Sequence, residues 1–280
     1  MALILAACSA LFYGVADFSG GVAAARSRLL PALILSQLLG LALALAAVAV
    51  LGQRLPAPRD LGWGLAAGLT GSLGLAMLYG GLARTVVAIV SPLSALVGAM
   101  IPLVFGILLG ERPPASALAG CALCLPAILL LSWERGGAPH DRRRVRAATG
   151  YGLLAGLGFG MFFLAISRCG QDAGLWPLVA ARLASISACT VALLVSRQPF
   201  RVEPAGRIPC LFAGAADMIA NILVLLAFHS GMLSLVAVVT SLFPAPTVLL
   251  ARVVLKQRIP PVRLAGLVLA LAGVGLISAK

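Results

Sequence analysis

Ten apolar stretches follow one another along this sequence with very little polar chain between them. They run over residues 2–22, 31–51, 61–82, 86–108, 115–133, 149–167, 175–195, 207–228, 231–255 and 262–279. A helix needs about 20 mostly apolar residues to cross a bilayer, and within hydrocarbon a helix satisfies its backbone N–H and C=O groups inside one segment. Ten such segments use almost all of a 280-residue chain. That leaves no room for an aqueous domain and excludes a soluble enzyme with a membrane anchor. The composition agrees: 61% of residues are hydrophobic and 10% charged, against about a quarter charged in soluble domains. A net charge of +13 raises the question of nucleic acid in a soluble protein. Here most basic residues stand between apolar segments, as the charges that orient spans do, so no nucleic-acid partner is expected.

The breaks carry helix-stopping or polar residues: Arg26 to Pro31, Gln53 to Asp60, Glu111 to Pro114, Arg197 to Pro209 and Lys256 to Pro261. The longest, Glu134 to Arg146, holds Gly136, Gly137, Pro139 and the run Arg142, Arg143, Arg144, and reads as a polar linker over 135–146 between units at 1–134 and 147–280. Met1 opens directly into an apolar run with no basic leader, which reads as a first span and not a signal peptide. The six cysteines mostly fall in apolar stretches, where thiols behave as small hydrophobes. Cys121 and Cys124 form a C-x-x-C with no second pair or His at metal spacing, so no metal site and no cofactor is expected.

The central linker prompts a test for duplication. A shift of 146 positions places Gly14 on Gly160, Pro31 on Pro177, Gly68 on Gly214, Arg112 on Arg258, Pro114 on Pro260, and Leu118, Ala119 and Gly120 on Leu264, Ala265 and Gly266. The same shift superimposes the span boundaries. Each copy holds five spans, an odd number, so the second enters the membrane from the side opposite to the first. The expected architecture is an all-α membrane protein of ten transmembrane helices in two inverted five-helix repeats.

Three segments carry a family resemblance: Gly14-Val15-Ala16-Asp17-Phe18, Ser91-Pro92-Leu93 leading to Leu109-Gly110-Glu111-Arg112, and Ser241-Leu242-Phe243-Pro244 leading to Lys256-Gln257-Arg258. In them the chain resembles the drug/metabolite transporter superfamily and its EamA-type members. Gln257 departs from the pattern, standing where the first half has Glu111. The resemblance implies a central cavity between the two repeats and movement of small metabolites by alternating access.

Ionisable groups inside a span cost about 2.5–3.5 kcal/mol each at the helix centre, which makes each a functional candidate. Asp17, Arg182, Asp217 and Asn221 form the candidate substrate or coupling site. Asp217 and Asn221, at i and i+4, share a helix face. Asp217 is read either as the partner of an arginine that ties helices together or as a proton or substrate-amine site. Arg182 either neutralises it or binds a substrate carboxylate. Under the 146 shift Asp17, Arg182 and Asp217 fall on Phe163, Ser36 and Gly71, so none has a charged counterpart. Arg252 reads as a snorkelling residue at the interface and His229 as a loop residue.

Pro92 and Pro102 in the fourth span and Pro244 and Pro246 in the ninth are expected to interrupt their helices near a midplane cavity. Tyr13 on the first span and Phe159 and Phe163 on the sixth are expected, with Pro92 and Pro244, to line or gate a cavity formed by spans 1, 4, 6, 8 and 9. Gly152, Gly156 and Gly160, and Gly64 and Gly68, read as close-packing surfaces between helices.

Fourteen of the 21 Lys and Arg residues fall in the connections on the face opposite the termini. The positive-inside rule makes that face cytoplasmic, whereas the resemblance implies cytoplasmic termini. Arg greatly outnumbers Lys, 19 to 2, which with abundant Ala and Gly suggests a GC-rich bacterial genome; the expected location is the cell membrane, the inner membrane of a bacterium. The reading is a secondary transporter, a monomer or homodimer in the bilayer, that exports or exchanges a small-molecule substrate. The alternatives are a proton-independent facilitator or uptake carrier and, from another class, a membrane sensor or intramembrane enzyme. The chain shows no nucleotide-binding motif, and no paired catalytic groups are evident, so enzyme activity is not expected.

Overall fold

The computed structural model describes residues 1–85, 87–133, 142–256 and 259–279. Eleven α-helices account for nearly all of them: α1 (Ala2–Arg26), α2 (Leu29–Val50), α3 (Pro58–Arg84), α4 (Val87–Leu108), α5 (Ala115–Leu131), α6 (Arg142–Ile166), α7 (Trp176–Val195), α8 (Pro204–Ser230), α9 (Leu233–Thr240), α10 (Pro244–Leu255) and α11 (Pro261–Ser278). Nine membrane-length apolar helical segments stand among the described residues, α9 and α10 counting as one, and the 17-residue α5 is shorter. This is a multi-pass membrane protein.

The helix boundaries follow local chemistry. Proline opens α3, α8, α10 and α11, where its fixed φ suits the first turn and its missing N–H costs nothing. Gly52 and Gly110 leave helix ends at φ of 60° and 98°, a region open to glycine without penalty. Arg142, Arg143, Arg144 and Arg146, expected in the linker, are instead the first turns of α6; the rest of that linker, up to position 141, lies outside the described residues. The exposed arginines continue the helical register because no Gly or Pro follows Pro139 before the span.

The two proline pairs behave differently. In the ninth span the helix breaks: α9 ends at Thr240, and the bonds Leu242 N to Val239 O, Phe243 N to Thr240 O and Ala245 N to Leu242 O form tight turns before α10 starts. Pro244 and Pro246, two residues apart, remove two donors from one turn. In the fourth span α4 runs unbroken through Pro92 and Pro102. Those prolines are ten residues apart, so each turn loses a single donor. The expected interruption is therefore present in the second half and absent from the first.

Small residues set the helix contacts. Gly152, Gly156 and Gly160 of α6 face α4, and a Cβ added at Gly156 would stand 2.5 Å from Val97 Cβ. Gly64 and Gly68 of α3 face α7, and a Cβ at Gly68 would meet the Ala181 backbone, 2.8 Å from its Cα. At these positions the absent side chain lets backbones touch, the packing that replaces the hydrophobic effect inside a membrane. α1 packs on α8, α6 on α3 and α4, and α2 on α7 and α8; α5 and α11 pair with each other at the periphery. Leu11, Leu69, Val191, Val253 and Leu271 are exposed on the outside of the bundle, as lipid-facing residues are.

Following the chain back and forth places both termini on one face, with the ends of α2, α6 and α8. The ends of α1, α3, α7 and α10 and the arginine-rich start of α6 lie on the other. These are called below the terminal face and the arginine face.

Candidate functional site

The polar centre of the bundle starts from Arg182 on α7. An arginine in hydrocarbon must have its donors occupied. Its guanidinium ion-pairs with Asp217 of α8 and donates to the Gln37 Oε1 of α2. Packing against α2 confines it further, since a Cβ added at Gly40 would lie 3.2 Å from Arg182 Nε. Asn221, one turn along α8 from Asp217, donates through Nδ2 to the Asp217 carbonyl at 2.7 Å and to its Oδ2 at 3.2 Å. Its Oδ1 accepts from the Tyr13 hydroxyl of α1 at 3.0 Å. Five side chains on four helices thus form one chain of hydrogen bonds, with Gln37, Arg182 and Asn221 buried.

This chain lies in the wall of a cavity of about 400 Å³. From the middle of the bundle the cavity runs toward the arginine face, where Leu78, Ser91, Ser132, Ala251 and Arg263 form its wall. Arg263 at that end donates to the Trp133 carbonyl at 2.9 Å. Toward the terminal face an aromatic layer closes it: Phe163 meets Tyr13 edge-on at 6.4 Å between ring centroids, Phe162 at 5.6 Å and Phe228 at 6.0 Å, and Tyr13 also meets Phe243 at 6.3 Å.

Beyond the aromatic layer the connections of the terminal face are tied to one another. The Gln53 side chain accepts from Leu175 N at 2.8 Å, and the Gln53 carbonyl accepts from Trp176 Nε1 at 3.3 Å. Asp60 accepts from Gly170 N at 2.9 Å, and Gln171 donates to the His229 carbonyl at 3.0 Å. The Glu111 carboxylate caps α9, accepting from Leu233 N and, at 2.9 Å, from Ser234 N. His229, expected in a loop, sits in the last turn of α8 with its Nε2 3.1 Å from the Cys169 carbonyl. On this face Cys169 is buried, and burial, with the Asp60 carboxylate second, pushes its thiol up to about 12.

The structure brings most of the expected residues together. Asp17, Arg182, Asp217, Asn221, Tyr13, Phe159, Phe163 and Pro244 all line the cavity. Arg182 and Asp217 are partners of each other, the structural one of the two readings of Asp217. Pro92 does not line it: the cavity side of α4 is Ser91, Ser94, Ala95 and Gly98, and Pro92 is buried beside that face. The expected wall of spans 1, 4, 6, 8 and 9 is too small, because α2, α3 and α7 also contribute through Gln37, Gly68, Ser72, Arg182 and Ser185. Gln37 was missed, although a lone amide in the middle of an apolar span is itself a signal. Arg252 is exposed on α10, away from the cavity. Cys121 and Cys124 are buried on α5, and a Cβ at Gly273 of α11 would lie 2.5 Å from Cys124 Sγ. Among the described residues no group of three or more His, Cys, Asp and Glu is placed to hold a metal ion.

The fold is shared with a solved crystal structure of a protein, at a TM-score of 0.80 and 17% sequence identity over 99% of this chain and 96% of that one. None of the curated proteins matches the chain in sequence. The model of the EamA-like transporter family matches residues 147–279. With this membrane-spanning helical bundle around a central cavity, the chain carries an EamA-like transporter family domain over residues 147–279, consistent with the drug/metabolite transporter superfamily.

Proposed function

We propose that this protein is a secondary transporter that exports or exchanges a small organic metabolite across the cell membrane, the bacterial inner membrane, by alternating access. The family matched over residues 147–279 is one of membrane transporters of small molecules, and that match supports a transporter. The observation that carries the reading is a cavity of about 400 Å³ with a charged, hydrogen-bonded floor in mid-bundle. It reaches one face and is closed from the other by aromatic side chains and tied loops. A mostly apolar cavity with a few placed polar groups is what a small-molecule site requires.

The reading includes two five-helix units, 1–134 and 147–280, related as inverted repeats. Packing supports it: α1 lies on α8 as α6 lies on α3, and α2 on α8 as α7 on α3. Gly68 meets the Ala181 backbone of α7, and Gly214, 146 positions on, meets the Ser36 backbone of α2. Such a pair of units rocking about a central site exposes it to each face in turn.

One observation favours a proton-independent facilitator as the second reading. Asp217 is already held by Arg182 and Asn221, which leaves less scope for it as a coupling site. Proteoliposomes loaded with a labelled metabolite panel, with and without an imposed pH gradient, test both. Movement of a solute class that follows the gradient supports coupled transport, and gradient-independent movement supports the facilitator. No movement of any solute through folded protein overturns the transport reading.

A further inference from the structure

The charges of the cavity wall are unequally occupied. Four side chains that carry full charges line it: Asp17, Arg182, Asp217 and Arg263. Arg182 and Asp217 neutralise each other, and the guanidinium is spent further on Gln37. Arg263 stands at the mouth with a bond to Trp133. Asp17 has no hydrogen-bond or ion-pair partner among the described residues, yet it lies within α1, one turn from Tyr13, with its side chain open to the cavity. An unpaired carboxylate within a membrane bundle is costly unless it takes up a proton or a counter-charge reaches it, and its opening to the cavity leaves room for the second.

On the transport reading of this cavity, we propose that its substrate is an organic monocation with an apolar body, whose ammonium group takes Asp17 as counter-ion. The surroundings suit both ends of such a molecule. Tyr13 and Phe243, whose rings lie 6.3 Å apart, line the cavity with Asp17, and aromatic faces attract cations most where water is scarce. Phe159, Phe162 and Phe163 line it further along for an apolar group. An anion of the same shape finds no free positive charge at this depth, because the Arg182 guanidinium is buried and engaged. The unmatched charge at this depth, with Arg263 away at the mouth, thus selects for the sign of the substrate.

The test uses radiolabelled benzyltrimethylammonium, whose charge is independent of pH, binding to the full-length protein in detergent. Phenethylamine, 3-phenylpropan-1-ol and 3-phenylpropionate serve as cationic, neutral and anionic competitors of similar shape. The expected result is saturable binding displaced at least tenfold more readily by phenethylamine than by the alcohol or the acid. Asp17→Asn weakens it at least tenfold with an unchanged melting temperature, and Asp17→Glu retains most of it. Absent binding, equal displacement by all three competitors, or full affinity in Asp17→Asn overturns the proposal. Should Asp17→Asn not fold, the order of the competitors on the wild type decides alone. Counterflow of neutral and anionic solutes in the same preparation separates the two readings. Their movement without cation binding overturns the cation site and leaves transport standing. Asp17-dependent cation binding with no solute moved leaves the site standing and overturns transport.

Discussion

Separating Arg182 from Asp217 makes the two single variants unequal. Removing one partner of a buried ion pair costs about 3–5 kcal/mol, whereas replacing both by apolar residues of similar volume is close to neutral. Here each partner keeps something: Arg182 retains Gln37, and Asp217 retains Asn221. The Asp217 side chain is also 33% exposed, against 10% for Arg182. These features bring the cost of Arg182→Gln to the lower end, about 3 kcal/mol or less. Asp217→Asn is the more damaging, because a carboxylate left alone can take up a proton but a guanidinium cannot lose one, and this guanidinium is the better buried of the two. Its expected cost is about 4 kcal/mol. At roughly 2–4 °C per kcal/mol for a chain of this length, that lowers the melting temperature by about 8–16 °C. Arg182→Met with Asp217→Leu should recover most of the loss. A thermal-melt cycle of the wild type, Arg182→Met, Asp217→Leu and that double variant in one detergent measures the coupling. Single-variant losses that add to the double-variant loss within about 0.5 kcal/mol would refute the ion pair as the tie between α7 and α8.

Gly68→Ala forces a Cβ into the Ala181 backbone and should cost about 1–3 kcal/mol; Gly62→Ala, which meets nothing within 4 Å, should be neutral or stabilising by about 0.5–1 kcal/mol, and thermal melts compare the two directly. Glu111→Ala uncaps α9 and should cost about 1–2 kcal/mol, with faster amide exchange at Leu233 and Ser234; unchanged exchange there would show that the carboxylate does not cap the helix. Cys169, with its thiol pushed up to about 12 by burial and then by Asp60, holds very little of its reactive thiolate near neutral pH. Maleimide at about pH 8 should therefore leave it unlabelled until the protein unfolds, and prompt labelling of the native protein would count against its burial.

The spans were legible because a bilayer imposes one length and one polarity on every segment, and proline marks where several of them begin. The glycine rows were legible too, since Gly152, Gly156 and Gly160 have no use on a lipid-facing side and do face α4. The unequal fate of the two proline pairs was not, because it depends on whether two missing donors fall in one turn, as at Pro244 and Pro246, or in two. Pro92 misled for a related reason: a proline in a span marks a freed carbonyl and not the direction of the cavity. The tie between Arg182 and Asp217 joins residues 35 positions apart on two helices; the scarcity of intramembrane charges made it one of two readings, and the sequence had no means of choosing between them. Gln37 gave a weak signal, since an uncharged amide is far less conspicuous in an apolar span than a charge.

The ties on the terminal face also bear on energetics. Gln53, Asp60, Glu111 and Gln171 hold that side together with six hydrogen bonds between connections. At about 1 kcal/mol net for each, opening that side forfeits several kcal/mol, which leaves the reverse form a population well below one per cent unless new contacts replace the lost ones. On the alternating-access reading the empty carrier therefore waits with its mouth on the arginine face. A solute that occupies the cavity must then supply the missing free energy by binding the reverse form more tightly than this one.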